Sequence, residues 1–167
     1  KTKLKLVWIM IFGIFTTAYS QNSDTPELKE PKLDLINTAF PEAKQEVMET
    51  FGAIAKSLED GDMDALIAFH GYSPKFTEFK DGALRNDGAA NEAYERSTFG
   101  SVTEVVAFKA NDLQIAVYGE VANLTFHSDF QLKFGEELVV INNQITLLFV
   151  NTTNGWKIVH EHHSPLK

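Results

Sequence analysis

The sequence predicts a single α+β domain in which helices come first and pack on one face of a curved antiparallel sheet. Apolar side chains recur at helical spacing between residues 42 and 61. From residue 103 onward, apolar and polar side chains alternate in segments that short turns separate. Because the helices precede a run of strands instead of alternating with them, the order is typical of an α+β fold rather than of a parallel α/β sheet.

The first twenty residues predict a secretory signal peptide. Three lysines begin it, an apolar run follows over residues 6–15, and Ala18-Tyr19-Ser20 supplies the small residues that precede a cleavage site. The apolar run is shorter than the roughly 18 residues that a membrane-spanning helix needs. We therefore expect cleavage before Gln21 and an exported protein, either periplasmic or secreted.

Composition limits the partners of the remaining chain. Without residues 1–20 it has 147 residues, enough for one domain, with 12 basic and 23 acidic side chains and a net charge of −11. Such a charge opposes binding to nucleic acids and to anionic membranes. We expect no nucleic acid and, once the signal is cleaved, no membrane as a partner. The chain has no cysteine, so its core must hold the fold without disulfides.

The helical part of the domain is predicted over residues 42–100. Residues 21–41, which hold three of the five prolines, predict a flexible lead-in to a domain spanning 42–167. A first helix is predicted over 42–60, between Pro41 and Gly61, and Asp62 caps a short second helix that ends near His70. The segment SPKFTEF predicts a strand through Phe76 and Phe79. A third helix is predicted over 90–99.

The rest of the chain predicts an antiparallel meander. Turn signals stand at Ala110-Asn111, Gly119-Glu120, Gly135-Glu136 and Asn154-Gly155. They divide this part into strands at residues 103–109, 112–118, 121–134, 138–150 and 156–163.

Three stretches, in their order along the chain, resemble a known superfamily. LEDGDMDALIAFH, GEVANLTFHSDF and ITLLFVNTTNGWKIVHEHHS are similar to the SnoaL-like branch of the nuclear transport factor 2-like superfamily, over about residues 42–164. The resemblance implies a cone-shaped, strongly bent antiparallel sheet wrapped around the N-terminal helices, a cystatin-like α+β barrel with a pocket at one end. It also implies a homodimer formed through the outer face of the sheet.

The resemblance places the candidate site on the last strands. Kinase association domains of this superfamily carry arginines at pocket positions that match Asp129, Leu147 and His163, and this chain keeps none of them. Carried over by position, the resemblance implies a pocket face on these strands, with the ligand-binding residues His127, Asp129, Asn143, Leu147, Glu161 and His163. The opposite, apolar face is predicted to be the outer, dimerising one, with Ala122, Leu124, Phe126, Phe130, Trp156 and Ile158. A β-bulge in a long strand would exchange the two faces.

Three functions stay open from the sequence. The leading prediction is the binding of a small, partly apolar molecule in the cone pocket, without catalysis. The alternative is an isomerase, cyclase or hydratase in which Asp129 and His163, with His127 as a further candidate, transfer a proton. The third is a dimerisation or interaction module. No cofactor is predicted.

The C-terminal histidines raise the question of a metal site. His160 and His162 share one strand face at a spacing that can chelate Zn²⁺ or Cu²⁺, but the sequence supplies no third ligand on that face. A structural strand end is therefore favoured, and the pair is kept only as a weak alternative metal site. His70 is predicted to cap the C-terminus of the second helix, with a place at the pocket rim as the alternative.

Overall fold

The structure, a computed structural model, describes residues 32–83 and 85–166. The predicted signal peptide and most of the predicted lead-in lie outside the described residues. From Leu33 onward the chain forms one compact unit. Its elements, in chain order, are α1 Pro41–Glu59, α2 Met63–Ala68, β1 Thr77–Lys80, α3 Gly88–Phe99, β2 Glu104–Tyr118, β3 Val121–Phe134, β4 Glu137–Ile141, β5 Asn143–Thr152 and β6 Gly155–Pro165.

The three helices form where the sequence predicts them. Helix α1 begins at Pro41, whose missing N–H costs nothing in a first turn, and its buried stripe includes Val47, Phe51, Ile54 and Leu58. The Asp62 carboxylate accepts a hydrogen bond from Ala65 N and caps α2. Asp87 caps α3 in the same way. None of the helices between residues 32 and 166 is long and apolar enough to cross a membrane.

The strands form one curved, unclosed sheet. Its order is β1-β6-β5-β3-β2, and β4 pairs with β3 beyond the end of β5. Neighbouring strands are antiparallel except β1 and β6, which run parallel. The meander and the α+β class are therefore confirmed, and the parallel edge strand β1 is a feature that the turn signals did not predict.

Two strand boundaries differ from the prediction. Residues 104–118 form one long strand, β2, because the expected turn at Ala110-Asn111 is an irregularity in which Asp112 takes a positive φ of 54°. The predicted strand over 138–150 is two strands, β4 and β5, which break at Asn142 and pair with different parts of β3.

The inner face of β3 is the apolar one, so the predicted orientation of this strand is wrong. Ala122, Leu124, Phe126 and Phe130 are buried in the core. The Phe126 ring lies 5.2 Å from that of Phe51 on α1. Burying the apolar face of the strand against the helices is more favourable than leaving it in water. This burial determines which side chains of β3 face inward. The expected apolar outer face, on which the predicted dimer depended, is the core.

A bulge in β6 divides that strand into two parts with opposite parity. Ile158 pairs with Phe149 and His160 with Leu148, so Val159 is an extra residue. Before the bulge, Trp156 and Ile158 point into the core rather than outward as predicted. After it, the inward positions are Glu161 and His163.

Candidate functional site

A cavity of about 490 Å³ opens between the helices and the inner face of the sheet. Helix α1 contributes Phe51, Ile54 and Leu58, and β3 contributes Phe126 and Phe130. The inner positions of β5, Asn143, Ile145 and Leu147, form a further wall. The wall is apolar because each of these strands and helices turns its hydrophobic side inward.

One end of the cavity is polar, and its centre is the buried carboxylate of Glu161. Glu161 is 4% exposed. Its Oε1 lies 2.8 Å from His70 Nε2, and its Oε2 lies 3.1 Å from His163 Nε2. His70 comes from the segment after α2, 91 positions away in the chain, and stacks on Tyr72 at 5.0 Å. The fold therefore places one carboxylate between two imidazoles.

The hydrogen-bond geometry constrains where His70 and Glu161 carry protons. His70 Nδ1 lies 3.1 Å from the carbonyl oxygen of Leu66, which can only accept, so Nδ1 carries a proton. The contact between His70 Nε2 and Glu161 then needs one more proton. Burial acts to raise the pKa of Glu161, but hydrogen bonds from His163 and His70, together with their charge, outweigh it and hold that pKa well below its usual range. An ionised Glu161 beside a protonated imidazole satisfies every contact.

Strand β1 brings a second carboxylate beside the first. The parallel pairing sets Glu78 opposite Glu161 and Lys80 opposite His163. Glu78 is 0% exposed, and its Oε2 accepts a hydrogen bond from Asn86 Nδ2 at 2.8 Å. Its Oε1 has no hydrogen-bond partner among the described residues. Lys80 Nζ lies 3.8 Å from the centre of the Tyr94 ring, which is a cation–π contact.

Helix α3 adds a third buried carboxyl group, Glu95. Glu95 lines the cavity and is 6% exposed. Burial raises its pKa well above the usual range, and the nearby charge of Glu161 raises it further. One turn earlier, Asn91 accepts a hydrogen bond from the Tyr72 hydroxyl at 2.5 Å. The cavity thus holds two carboxyl groups whose pKa values are shifted in opposite directions, downward for Glu161 and upward for Glu95.

Four of the predicted ligand-binding residues line this cavity. Asn143, Leu147, Glu161 and His163 are among its wall residues. They share the cavity because the bulge at Val159 leaves Glu161 paired with Leu147 on the inner face.

His127 and Asp129 lie on the other side of the sheet, so their predicted place in the pocket is wrong. They alternate with the buried residues of β3 and therefore point away from the cavity. Asp129 accepts hydrogen bonds from Gln131 at 3.0 Å and from Lys109 at 3.3 Å, which lower its pKa. Its partners are surface side chains of β2 and β3, so the expected pair of Asp129 with His163 does not form.

The H-x-H pair also has structural partners. His160 Nδ1 lies 2.8 Å from Thr77 Oγ1. His162 is exposed, and the ring of Phe79 lies 6.3 Å away. In the part of the chain that the structure describes, the His, Asp and Glu side chains close enough to hold a metal ion are instead Glu78, Glu161 and His163.

Sequence reasoning missed Glu78 and Glu95 as site residues. Glu78 is two positions after the buried Phe76, and an inward reading of Phe76 would have placed Glu78 inward as well. The prediction instead took Phe79 as the second apolar position of that strand, and Phe79 is 47% exposed. Glu95 carries no such signal, since it is one of two glutamates on a short polar helix.

Comparisons with known proteins agree with this architecture. The SnoaL-like domain family matches residues 47–167. No curated protein sequence matches this chain significantly. A candidate dehydratase of the NTF2-like family from Streptomyces avermitilis is 19% identical, with a TM-score of 0.67 over 75% of this chain and 97% of that chain.

Two further solved structures show the same fold. An NTF2-like superfamily protein from Salmonella enterica is 20% identical, with a TM-score of 0.66 over 77% of this chain and 95% of that chain. A candidate aromatic-ring hydroxylase from Novosphingobium aromaticivorans is 15% identical, with a TM-score of 0.65 over 78% of this chain and 93% of that chain. At such identities these likenesses concern the fold alone. Together with the family match, they show that the chain belongs to the SnoaL-like domain family of the NTF2-like superfamily.

Proposed function

We propose that this SnoaL-like domain binds a small, predominantly apolar molecule in the cavity and holds that molecule's polar group at the Glu161 end. The observation that carries the proposal is an apolar cavity of about 490 Å³ that ends in a buried carboxylate between two imidazoles. Its volume falls in the range of roughly 300–1,000 Å³ that is usual for small-molecule sites. Apolar walls supply affinity, and a few polar groups fix the orientation of the ligand.

The polar end supports a ligand with a hydroxyl or carbonyl group. The raised pKa of Glu95 favours its protonated form, which can donate a hydrogen bond, while His163 can donate or accept one according to its tautomer. The phenylalanines of the wall favour a ring or a branched chain at the other end of the ligand.

Native mass spectrometry of the protein purified from its host tests this proposal, because it reports any bound molecule directly. A complementary titration uses the neutral apolar fluorophore N-phenyl-α-naphthylamine. Val140 lines the cavity and is 51% exposed, so Val140→Trp should narrow the entrance and weaken binding at least about tenfold. Leu138→Trp is the matched control, since Leu138 is 50% exposed on the same strand and is not a wall residue. Equal affinities in the two variants would refute binding in this cavity.

A second candidate function is proton transfer on the bound molecule, as in an isomerase or a dehydratase. The pairing of His163 with Glu161 in the cavity wall favours it, because the carboxylate stabilises the imidazolium that forms when His163 removes a proton from carbon. Glu95 then protonates the oxygen that gains electrons. These residues take the role that the sequence assigned to Asp129 with His163. The similarity to a candidate dehydratase is compatible with this class of reaction.

Hydrogen–deuterium exchange tests the second candidate. The molecule recovered from the native protein is incubated with the enzyme in D₂O, and deuterium at its acidic carbon is followed by NMR. His163→Gln should slow the exchange at least about 100-fold. His162→Gln, on the exposed side of the same strand, should leave it unchanged. If wild-type protein exchanges deuterium only at the uncatalysed rate, proton transfer is excluded and ligand binding remains the proposed function.

We also propose that the protein is exported and loses residues 1–20. The support is the basic start, the apolar run and the small residues before Gln21. The mass of the protein recovered outside the cytoplasm should match a chain that begins at Gln21. A mass that includes residues 1–20 would contradict the proposal.

A further inference from the structure

Two carboxylates stand side by side where β1 pairs with β6, and one of them, Glu161, lines the cavity. Glu78 and Glu161 are directly paired neighbours on parallel strands, and both side chains are buried, at 0% and 4% exposure. Like charges at such positions repel, and burial increases the repulsion because little water screens it. A proton or a cation between the strands relieves it.

Among the described residues, no cationic side chain makes a hydrogen bond or an ion pair with Glu78. His70 and His163 both contact Glu161, and the Lys80 ammonium lies over the Tyr94 ring. Glu78 receives one hydrogen bond, from the neutral amide of Asn86, on Oε2. Its Oε1 is buried and has no partner in residues 32–83 and 85–166. An orphaned carboxylate oxygen of this kind costs free energy and points to a missing positive group.

A carboxylate oxygen of Glu78, a carboxylate oxygen of Glu161 and a ring nitrogen of His163 lie within 4.8 Å of one another. We propose that these three side chains bind a divalent transition-metal ion, such as Zn²⁺, beside the cavity wall that Glu161 and His163 form. One imidazole and two carboxylates form a ligand set that such ions accept. At metal–ligand distances of about 2.0–2.2 Å, the ligand atoms of a tetrahedral site stand roughly 3.3–3.6 Å apart, so no pair of these atoms has to close by more than about 1.5 Å.

The surroundings complete the site. His70 Nε2 lies 2.8 Å from Glu161 Oε1, and Asn86 Nδ2 donates a hydrogen bond to Glu78 Oε2. Each carboxylate ligand is therefore oriented by a neighbouring side chain that is not itself a proposed metal ligand. Because Glu161 and His163 also line the cavity, water or the polar group of a bound molecule can supply the fourth ligand.

This inference goes beyond the proposed binding function. The apolar walls bind their molecule whether or not the metal is present. A metal ion on His163 would, however, remove this imidazole as a proton acceptor, because a histidine that ligates a metal through one ring nitrogen already carries a proton on the other. Metal content therefore also separates the two candidate functions.

Metal binding is tested on the full chain with any affinity tag removed. The protein is dialysed against a chelator and titrated with ZnCl₂ by calorimetry, and elemental analysis gives the stoichiometry. We expect one Zn²⁺ per chain. Glu78→Gln, which keeps the shape and removes the charge, and His163→Ala should each weaken binding at least about 100-fold. His162→Ala is the matched control and should bind as the wild type does.

Circular dichroism and melting curves of the metal-free variants report whether they fold. Glu78→Gln should fold, because it removes one of two opposed buried charges. If it does not, Glu78→Asp keeps the charge, withdraws the oxygen by one methylene and should weaken binding likewise. Three results would overturn the proposal: no stoichiometric Zn²⁺ in the wild type, full affinity in both Glu78→Gln and His163→Ala, or loss of Zn²⁺ in His162→Ala, which would indicate the H-x-H pair. Binding of N-phenyl-α-naphthylamine to the metal-free protein tests the cavity separately.

Discussion

Glu95 and Glu161 are two carboxyl groups of one cavity whose pKa values move in opposite directions. The difference arises from their partners, since Glu161 contacts two imidazoles and Glu95 has no hydrogen-bond partner of its side chain among the described residues. Two carboxyl groups tuned apart in one site are typical of acid–base pairs in enzymes. Each shift also makes the stability of the fold depend on pH.

We expect Glu95→Gln to remove a loss of stability that the wild type suffers as pH rises. The folded-state pKa of Glu95 is raised above its ordinary value of 4.5, so its contribution is full below pH 4.5 and falls away as pH rises through the folded-state pKa. In urea unfolding from pH 4 to pH 8, the free energy of unfolding of the variant should rise relative to that of the wild type as pH increases. Glu136→Gln, an exposed turn residue, is the control. Parallel curves for wild type and Glu95→Gln would contradict the assignment.

Glu161→Gln should have the opposite pH dependence. The folded-state pKa of Glu161 is lowered, so its contribution is present above pH 4.5 and is lost as pH falls toward the folded-state pKa. Removing one partner of a buried ion pair typically costs about 3–5 kcal/mol. The free energy of unfolding should therefore fall by about this amount at pH 7, and the gap should narrow in acid. A gap that is constant between pH 3 and pH 7 would mean that packing, not charge, is lost.

At the scale of the element, the bulge in β6 decides which side chains enter the site. Alternation predicted Glu161 and His163 inward from the end of the strand, and it predicted Trp156 and Ile158 outward from the same strand. The prediction for Glu161 and His163 is right and the prediction for Trp156 and Ile158 is wrong, because Val159 interrupts the alternation between them. Neither composition nor periodicity marks a single extra residue. The alternation on one side of the bulge therefore does not predict which side chains face inward on the other side.

The segment that follows α2 is anchored to this bulge. Ile158 N donates to Phe69 O, and Gly71 N donates to Ile158 O, so His70 is held between two backbone hydrogen bonds. A Cβ on Gly71 would lie 3.1 Å from Val159 Cγ1 and 3.3 Å from Lys157 Cβ. The sequence could not predict this contact, since it joins residues some ninety positions apart.

Gly71→Ala should therefore destabilise the protein, by about 1–3 kcal/mol, because the segment must move away from β6. Gly52→Ala is the matched substitution. Gly52 lies within α1 with nothing within 4 Å of a built Cβ, so alanine should stabilise the helix by about 0.5–1 kcal/mol. Urea unfolding measures both changes. Equal changes in the free energy of unfolding of the two variants would show that the contact at Val159 does not affect stability.

At the scale of the whole molecule, the order and type of the elements followed from local signals. Pro41, Asp62 and the Asn154-Gly155 turn mark boundaries through backbone chemistry that acts within a few residues. The arrangement of the cavity did not follow, because His70, Glu78 and Glu95 reach Glu161 through tertiary pairing. The parallel contact of β1 with β6 brings Glu78 to the site, and no local pattern encodes it.

The assignment of the two sheet faces leads to a last prediction, on neighbouring residues of β3. Leu124 is 0% exposed in the core, whereas Thr125 faces outward and pairs with Thr146. Leu124→Asp should cost about 4 kcal/mol or more, because an unpaired charge enters the core, and the variant should be unfolded by circular dichroism. Thr125→Asp should cost no more than about 1 kcal/mol. A folded Leu124→Asp protein would mean that the apolar face of β3 is the outer one.

The Thr125→Asp variant also tests the predicted homodimer. If two copies meet through the outer face of the sheet, Thr125→Asp places like charges in the interface, and sedimentation should show a monomer where the wild type shows a dimer. The outer face of β3 presents Asn123, Thr125, His127, Asp129 and Gln131, so hydrogen bonds and charges rather than apolar burial would hold such a dimer. High salt should then weaken it, since screening acts on exposed charges. A wild-type monomer at all concentrations would end the dimer prediction.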